Sequence, residues 1–99
     1  MDLSSMPDNE VAEVITETVH RELKARIKRR IFVKCWPETG VLYVNIYNGK
    51  SQFTLKFNGV LQAYKLGAPI DQYINVTETK FRHFVFNGVF SNKEKQEDK

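Results

Sequence analysis

IFVKCWPETGVLYVNIYNGKSQFTLKF, residues 31–57, alternates apolar and other side chains with a period of two and is interrupted twice by turn formers. β-Branched and aromatic residues dominate it, which suits a pleated, half-buried surface. Pro37-Glu38-Thr39-Gly40 is a turn-forming set, and Asn48-Gly49 is the strongest short hairpin signal in the chain. The reading is three antiparallel strands at about 31–36, 41–47 and 50–57. A four-residue first turn sets Trp36 opposite Val41, Cys35 opposite Leu42 and Val33 opposite Val44. A two-residue turn centred on Asn48-Gly49 sets Tyr47 opposite Lys50, Val44 opposite Phe53 and Leu42 opposite Leu55. Both hairpins then collect Ile31, Val33, Cys35, Leu42, Val44, Ile46, Phe53, Leu55 and Phe57 on one face, the expected core. The opposite face receives Phe32, Lys34, Trp36, Tyr43, Asn45, Tyr47, Gln52, Thr54 and Lys56, an aromatic and basic mixture without an acid.

On the N-terminal side the period changes to that of a helix. Val11, Ile15, Val19, Leu23 and Ile27 recur at every fourth position with Ala12 beside them, predicting one long helix over about 8–29. Ser5 or Asp8 is the expected cap, with Pro7 tolerated near the first turn. The polar face runs from Glu10, Glu13 and Glu17 to Arg21, Lys24 and Lys28, an order that complements the helix dipole, and Glu17 with Arg21 makes an i,i+4 pair. Arg26 and Arg30 fall on the apolar side, so the helix should end before Arg30.

On the C-terminal side, Asn58-Gly59 and Asn87-Gly88 each signal a hairpin turn or a helix boundary. Val60 to Leu66 reads as a short helix stopped by Gly67, or as a fourth strand returning along Phe57. Phe81, Phe84, Val85 and Val89 have helical spacing behind candidate caps at Thr77 and Thr79, which predicts a second helix near the C-terminus. The fold class is therefore α+β: a long N-terminal helix packed on an antiparallel meander of three or four strands, followed by that helix. Residues 1–7 are expected to be a flexible N-terminus, 8–90 a single domain, and 91–99 a disordered charged tail.

A length of 99 residues leaves room for one core, and 41% hydrophobic with 27% charged residues is ordinary globular composition. No apolar run approaches a membrane span and no leader pattern opens the chain, so a soluble, cytoplasmic protein without a membrane partner is expected. One cysteine excludes a disulfide framework and a multi-thiolate zinc site. Cys35 falls on the core face as a small buried hydrophobe rather than a nucleophile. His20 and His83 lie far apart with no ligand-spaced neighbours. The carboxylates sit on a solvated helix face or in the tail, and neither a phosphate-cradling glycine loop nor a nucleophile elbow occurs. The expectation is a non-enzymatic chain with no catalytic residues, metal, cofactor or small-molecule substrate.

Two features suit binding. The net charge of +3 hides an asymmetry: residues 1–19 carry five acids and no Lys or Arg, whereas 20–34 carry seven bases against Glu22. Such a block suits an anionic partner, and Arg21, Lys24, Lys28, Arg29, Arg30 and Lys34 are the candidate contacts to nucleic acid or a nucleic-acid-binding protein. The alternative site is the aromatic sheet face with Phe32, Trp36, Tyr43, Tyr47 and Lys56, a platform for stacking bases or a protein-binding hot spot. An aromatic patch of this kind is seldom left open, so the segment 60–90 or a second copy of the chain, in a homodimer, is expected to cover it.

The order helix, three strands, helix resembles the double-stranded RNA-binding domain over roughly residues 8–90. That family's last helix opens with a lysine cluster over the RNA major groove, and Thr77-Glu78-Thr79-Lys80 departs from it with one base and one acid. In size, cysteine content and charged tail the chain also resembles the small accessory proteins of bacteriophages and mobile elements, many of which inhibit host defence or nucleic-acid enzymes. Two functions are thus expected to compete: a nucleic-acid-binding module acting through the basic helix-strand edge, and a phage-like inhibitor, for example of a CRISPR effector nuclease, acting by protein contact through the aromatic face.

Overall fold

The structure, a computed structural model, describes residues 5–87. Helix α1 spans Asp8–Arg26, strands β1, β2 and β3 span Ile31–Cys35, Leu42–Asn48 and Ser51–Phe57, and helices α2 and α3 span Val60–Lys65 and Asp71–Asn87. The fold is α+β, with three strands rather than four, because Val60–Lys65 is helical. The strands form an antiparallel sheet in the order β1-β2-β3.

The β1–β2 hairpin keeps the register read from its four-residue turn: Cys35 pairs with Leu42 and Val33 with Val44. The second hairpin is displaced by two residues. Asn48 pairs with Ser51, Val44 with Leu55 and Leu42 with Phe57, so the turn is centred on Gly49 and Lys50. Gly49 has φ +65° and, among the described residues, no residue other than glycine has positive φ, so the turn has left-handed backbone at its first central position but not its second. That demand fits glycine at position 49 and ordinary lysine at 50. A shift of two leaves each side chain on its expected face.

All three helices lie against the face bearing Ile31, Val33, Cys35, Leu42, Val44 and Ile46. α1 covers β1 with Val11, Ala12, Ile15, Val19 and Leu23, the stripe read from sequence, and Ile27 remains buried just beyond the helix end. α3 covers β3: Phe53 meets Phe81 and Phe84 at ring-centroid distances of 5.7 and 5.2 Å, and Phe57 meets Tyr73 at 5.3 Å. Gly40, at φ +74°, accepts the Val60 and Leu61 amides on its carbonyl and so ties the first turn to the start of α2.

Other local expectations are corrected. Neither Ser5 nor Asp8 caps α1; Pro7 is the N-cap, its carbonyl accepting the Glu10 and Val11 amides, while Asp8 pairs with Lys65 at 2.7 Å. Arg21 lies 3.8 Å from Glu22, which is its ion-pair partner in place of Glu17. α3 begins at Asp71, so Thr77 and Thr79 are mid-helix; buried Thr77 donates to the Tyr73 carbonyl at 2.7 Å. The expectations for Val89, for the tail 91–99 and for residues 1–4 lie outside the described residues.

Candidate functional site

The second face of the sheet receives no covering element from the described chain, because the helices all pack on the first. The expectation that residues 60–90 close it is therefore overturned for residues 60–87. Phe32 and Trp36 are 48% and 44% exposed, a degree that marks an unpartnered surface for side chains of this size.

Register arranges this face in rows across the strands. Lys34, Tyr43 and Lys56 form one row, and Phe32, Asn45 and Thr54 the next. The Tyr47 amide donates to the Arg30 carbonyl, and Tyr47 pairs with Gln52, which adds a third row. At the other end the Trp36 amide donates to the Val41 carbonyl at 2.9 Å. Each of four consecutive rows thus carries one aromatic side chain: Trp36, Tyr43, Phe32 and Tyr47. The Phe32 and Tyr43 rings meet edge-on at 5.9 Å. Asn45 is only 4% exposed; it donates to Gln52 Oε1 at 3.1 Å and accepts from the Thr54 hydroxyl at 2.9 Å, so its amide is satisfied and holds the middle of the face rigid.

The basic block separates into parts with different surroundings. Arg26 is turned to α3, donating to Asn75 at 2.7 Å and pairing with Glu78 at 3.2 Å; Arg82 completes this cluster from Glu78 to the Arg26 carbonyl. Lys24 donates to the Arg29 carbonyl at 2.8 Å, and Arg29 donates to Asn48 at 3.0 Å, so both brace the connection into β1. Arg21 and Lys28 are exposed near the end of α1. Arg30 and Lys34 instead belong to the aromatic face: the Arg30 guanidinium lies 4.7 Å from the Tyr47 ring centroid, and Lys34 Nζ lies 5.3 Å from that of Trp36. Arg30, Lys34 and Lys56 take part in no ion pair among the described residues. Of the six bases read from sequence, Arg30 and Lys34 therefore join the aromatic face, and the other four do not.

A groove of about 490 Å³ opens on this surface, lined by Phe32, Trp36, Val41, Tyr43 and Lys56, with Glu38 and Thr39. The turn residues Glu38, Thr39 and Val41 were absent from the sequence-read site. Their signal was proximity: a four-residue turn returns the chain directly beside Trp36. Glu38 is the one acid in the lining.

Cys35 is buried on the opposite, packed face, and burial pushes its thiol up to about 11 although Lys34 opposes the shift. A thiol so desolvated is a poor nucleophile at neutral pH. The described residues hold no cluster of three or more metal-ligating side chains, and no described helix is long and apolar enough to cross a membrane. α3 opens with Asp71 and carries no Lys or Arg before Lys80, so the lysine-rich helix start of the double-stranded RNA-binding domain has no counterpart. Comparison with family models, with curated proteins and with solved structures finds no match for this chain.

Proposed function

We propose that the chain is a non-enzymatic module that binds nucleic acid on the open face of its sheet, with the α1–β1 junction extending the positive edge. One observation carries this reading: Arg30, Lys34 and Lys56, free of ion pairs among the described residues, share a face with Phe32, Trp36, Tyr43 and Tyr47 on strands without an acid. Cations on a rigid surface gain by neutralising phosphates and releasing their counterions, and aromatic planes add base contact. A second copy is a poor occupant, since a two-fold interface would set the same basic patch against itself. The reading places the protein's work in the cytoplasm, where nucleic acid and its enzymes are met.

The apolar lining of the groove favours a second reading, an inhibitor that docks on a nucleic-acid-handling enzyme using Trp36 and the tyrosines as anchors. Salt separates the two. Titration of a mixed-sequence single-stranded oligonucleotide at several salt concentrations should show affinity falling with a log–log slope of about −2 for three phosphate contacts. Absence of binding to any nucleic acid at low salt contradicts the proposal.

A further inference from the structure

We infer that the ligand is an extended single strand, lying along the β-strands with one unstacked base on each aromatic row; this rests on the nucleic-acid reading above. Successive rows on one face are two residues apart along a strand, or about 7 Å. Bases in a duplex rise 3.4 Å per nucleotide, whereas a strand whose bases are unstacked reaches about twice that. Trp36, Tyr43, Phe32 and Tyr47 occupy consecutive rows, so their backbone repeat is close to the extended strand and about twice that of the duplex, and the Phe32 and Tyr43 rings, 5.9 Å apart, are likewise more widely spaced than stacked bases.

The cations are placed to suit. Lys34 and Lys56 flank Tyr43 within one row, about 10 Å apart across three strands, on either side of a base lying on that ring. Arg30 lies over the Tyr47 ring and Lys34 over the Trp36 ring, so one cation sits beside each of these planes. A base arriving on either ring displaces the cation toward the adjoining phosphate. The groove lined by Phe32, Trp36 and Tyr43, about 490 Å³, has room for one base, with Glu38 as the one acid in its wall.

The outer faces of α1 and the first half of α3 carry acids among the described residues. α1 exposes Glu10, Glu13 and Glu17 along the face that carries Arg21 and Lys24, and α3 carries Asp71 and Glu78 before its first base. Carboxylates on such a face repel a phosphate backbone.

Trp36 is the sole tryptophan and lies in the site, so its fluorescence reports stacking directly. The full chain is titrated with oligothymidylate, with oligouridylate, with an abasic strand of equal length and with a blunt duplex. The expected result is saturable quenching by the two base-bearing strands, in an order that tells DNA from RNA, with weak binding and no quenching by the other probes. Phe32→Leu keeps apolar bulk at a half-exposed position and removes a stacking plane. It should weaken base-bearing strands roughly five- to a hundredfold and leave the abasic strand unchanged. Equal affinity for the abasic strand or the duplex overturns the stacking inference while the nucleic-acid reading stands. Failure of all four probes to bind overturns both.

Discussion

The guanidinium of Arg30 lies over the ring of Tyr47, 4.7 Å from its centroid, and so carries the basic segment around the end of β1 onto the open sheet face. In the linear sequence Arg30 closes the run Lys28-Arg29-Arg30; in the fold its immediate neighbour is an aromatic ring on β2. Lys34 repeats the arrangement over Trp36. Exposed contacts of this type contribute about 0.5–1 kcal/mol each, too little to explain the fold but enough to orient both cations along the aromatic rows.

Thr16 should matter more than a helical threonine ordinarily does. Its hydroxyl donates to the Ala12 carbonyl at 2.8 Å and accepts the Cys35 amide at 2.9 Å, closing one outward-facing group on the edge of β1. Thr16→Val keeps the shape and orphans that amide. Chemical denaturation is expected to show a loss of about 1–2 kcal/mol with an unchanged m-value.

Cys35 should be inert in the folded protein. At pH 7.5 a thiol reagent is expected to modify it far more slowly than a free cysteine, at a rate set by unfolding. Its raised value also has a sign for stability. The buried thiol stays protonated to about 11, whereas the unfolded thiol ionises near 9.0. The unfolded chain therefore binds fewer protons between these values, and this contribution to stability, full below pH 9, should fall as pH rises toward 11. Cys35→Ser, lacking that ionisation, should show a shallower decline over the same window.

Gly40 and Gly49 both have positive φ, yet their substitution should not be equivalent. A Cβ on Gly40 would stand 3.4 Å from Leu61 Cβ beside the carbonyl that holds the start of α2, whereas nothing lies within 4 Å of one on Gly49. Gly49→Ala should lose about 1–2 kcal/mol for its left-handed backbone alone. Gly40→Ala should exceed it in thermal denaturation if relieving the left-handed strain shifts the Gly40 carbonyl from the Val60 and Leu61 amides, and should equal it if that carbonyl stays in place.

The sheet was legible because parity alone sorts its side chains: even positions from Phe32 to Trp36 and odd positions from Tyr43 to Tyr47 fall on one face whichever two-residue register is chosen. The exact pairing of β2 with β3 was not, since Asn48-Gly49 is compatible with Asn48 inside the turn or as the last strand residue. The start of α3 was hidden by Thr77. A polar residue interrupts the stripe Ile70, Tyr73, Ile74, Phe81, and its burial is legible only once its hydroxyl is seen bonding the preceding turn. In the site, every aromatic was legible, but the basic residues from Arg21 to Lys34 formed one block in sequence. Which of them brace the junction and which face solvent depends on α3 and β2, elements remote along the chain.

Bases on the open face and bases on the helices can be separated by charge reversal. Arg30→Glu with Lys34→Glu reverses two charges on the open face, and Arg21→Glu with Lys80→Glu reverses two exposed charges on α1 and α3, giving variants of identical net charge. Affinity for a single-stranded oligonucleotide should collapse in the first and lose the salt slope of about two phosphate contacts, while the second, acting only through long-range charge, stays within a few-fold of the parent at 0.15 M salt, where the screening length is about 8 Å. Equal loss in both variants, or loss only in the helix variant, would place the binding surface elsewhere and contradict this reading.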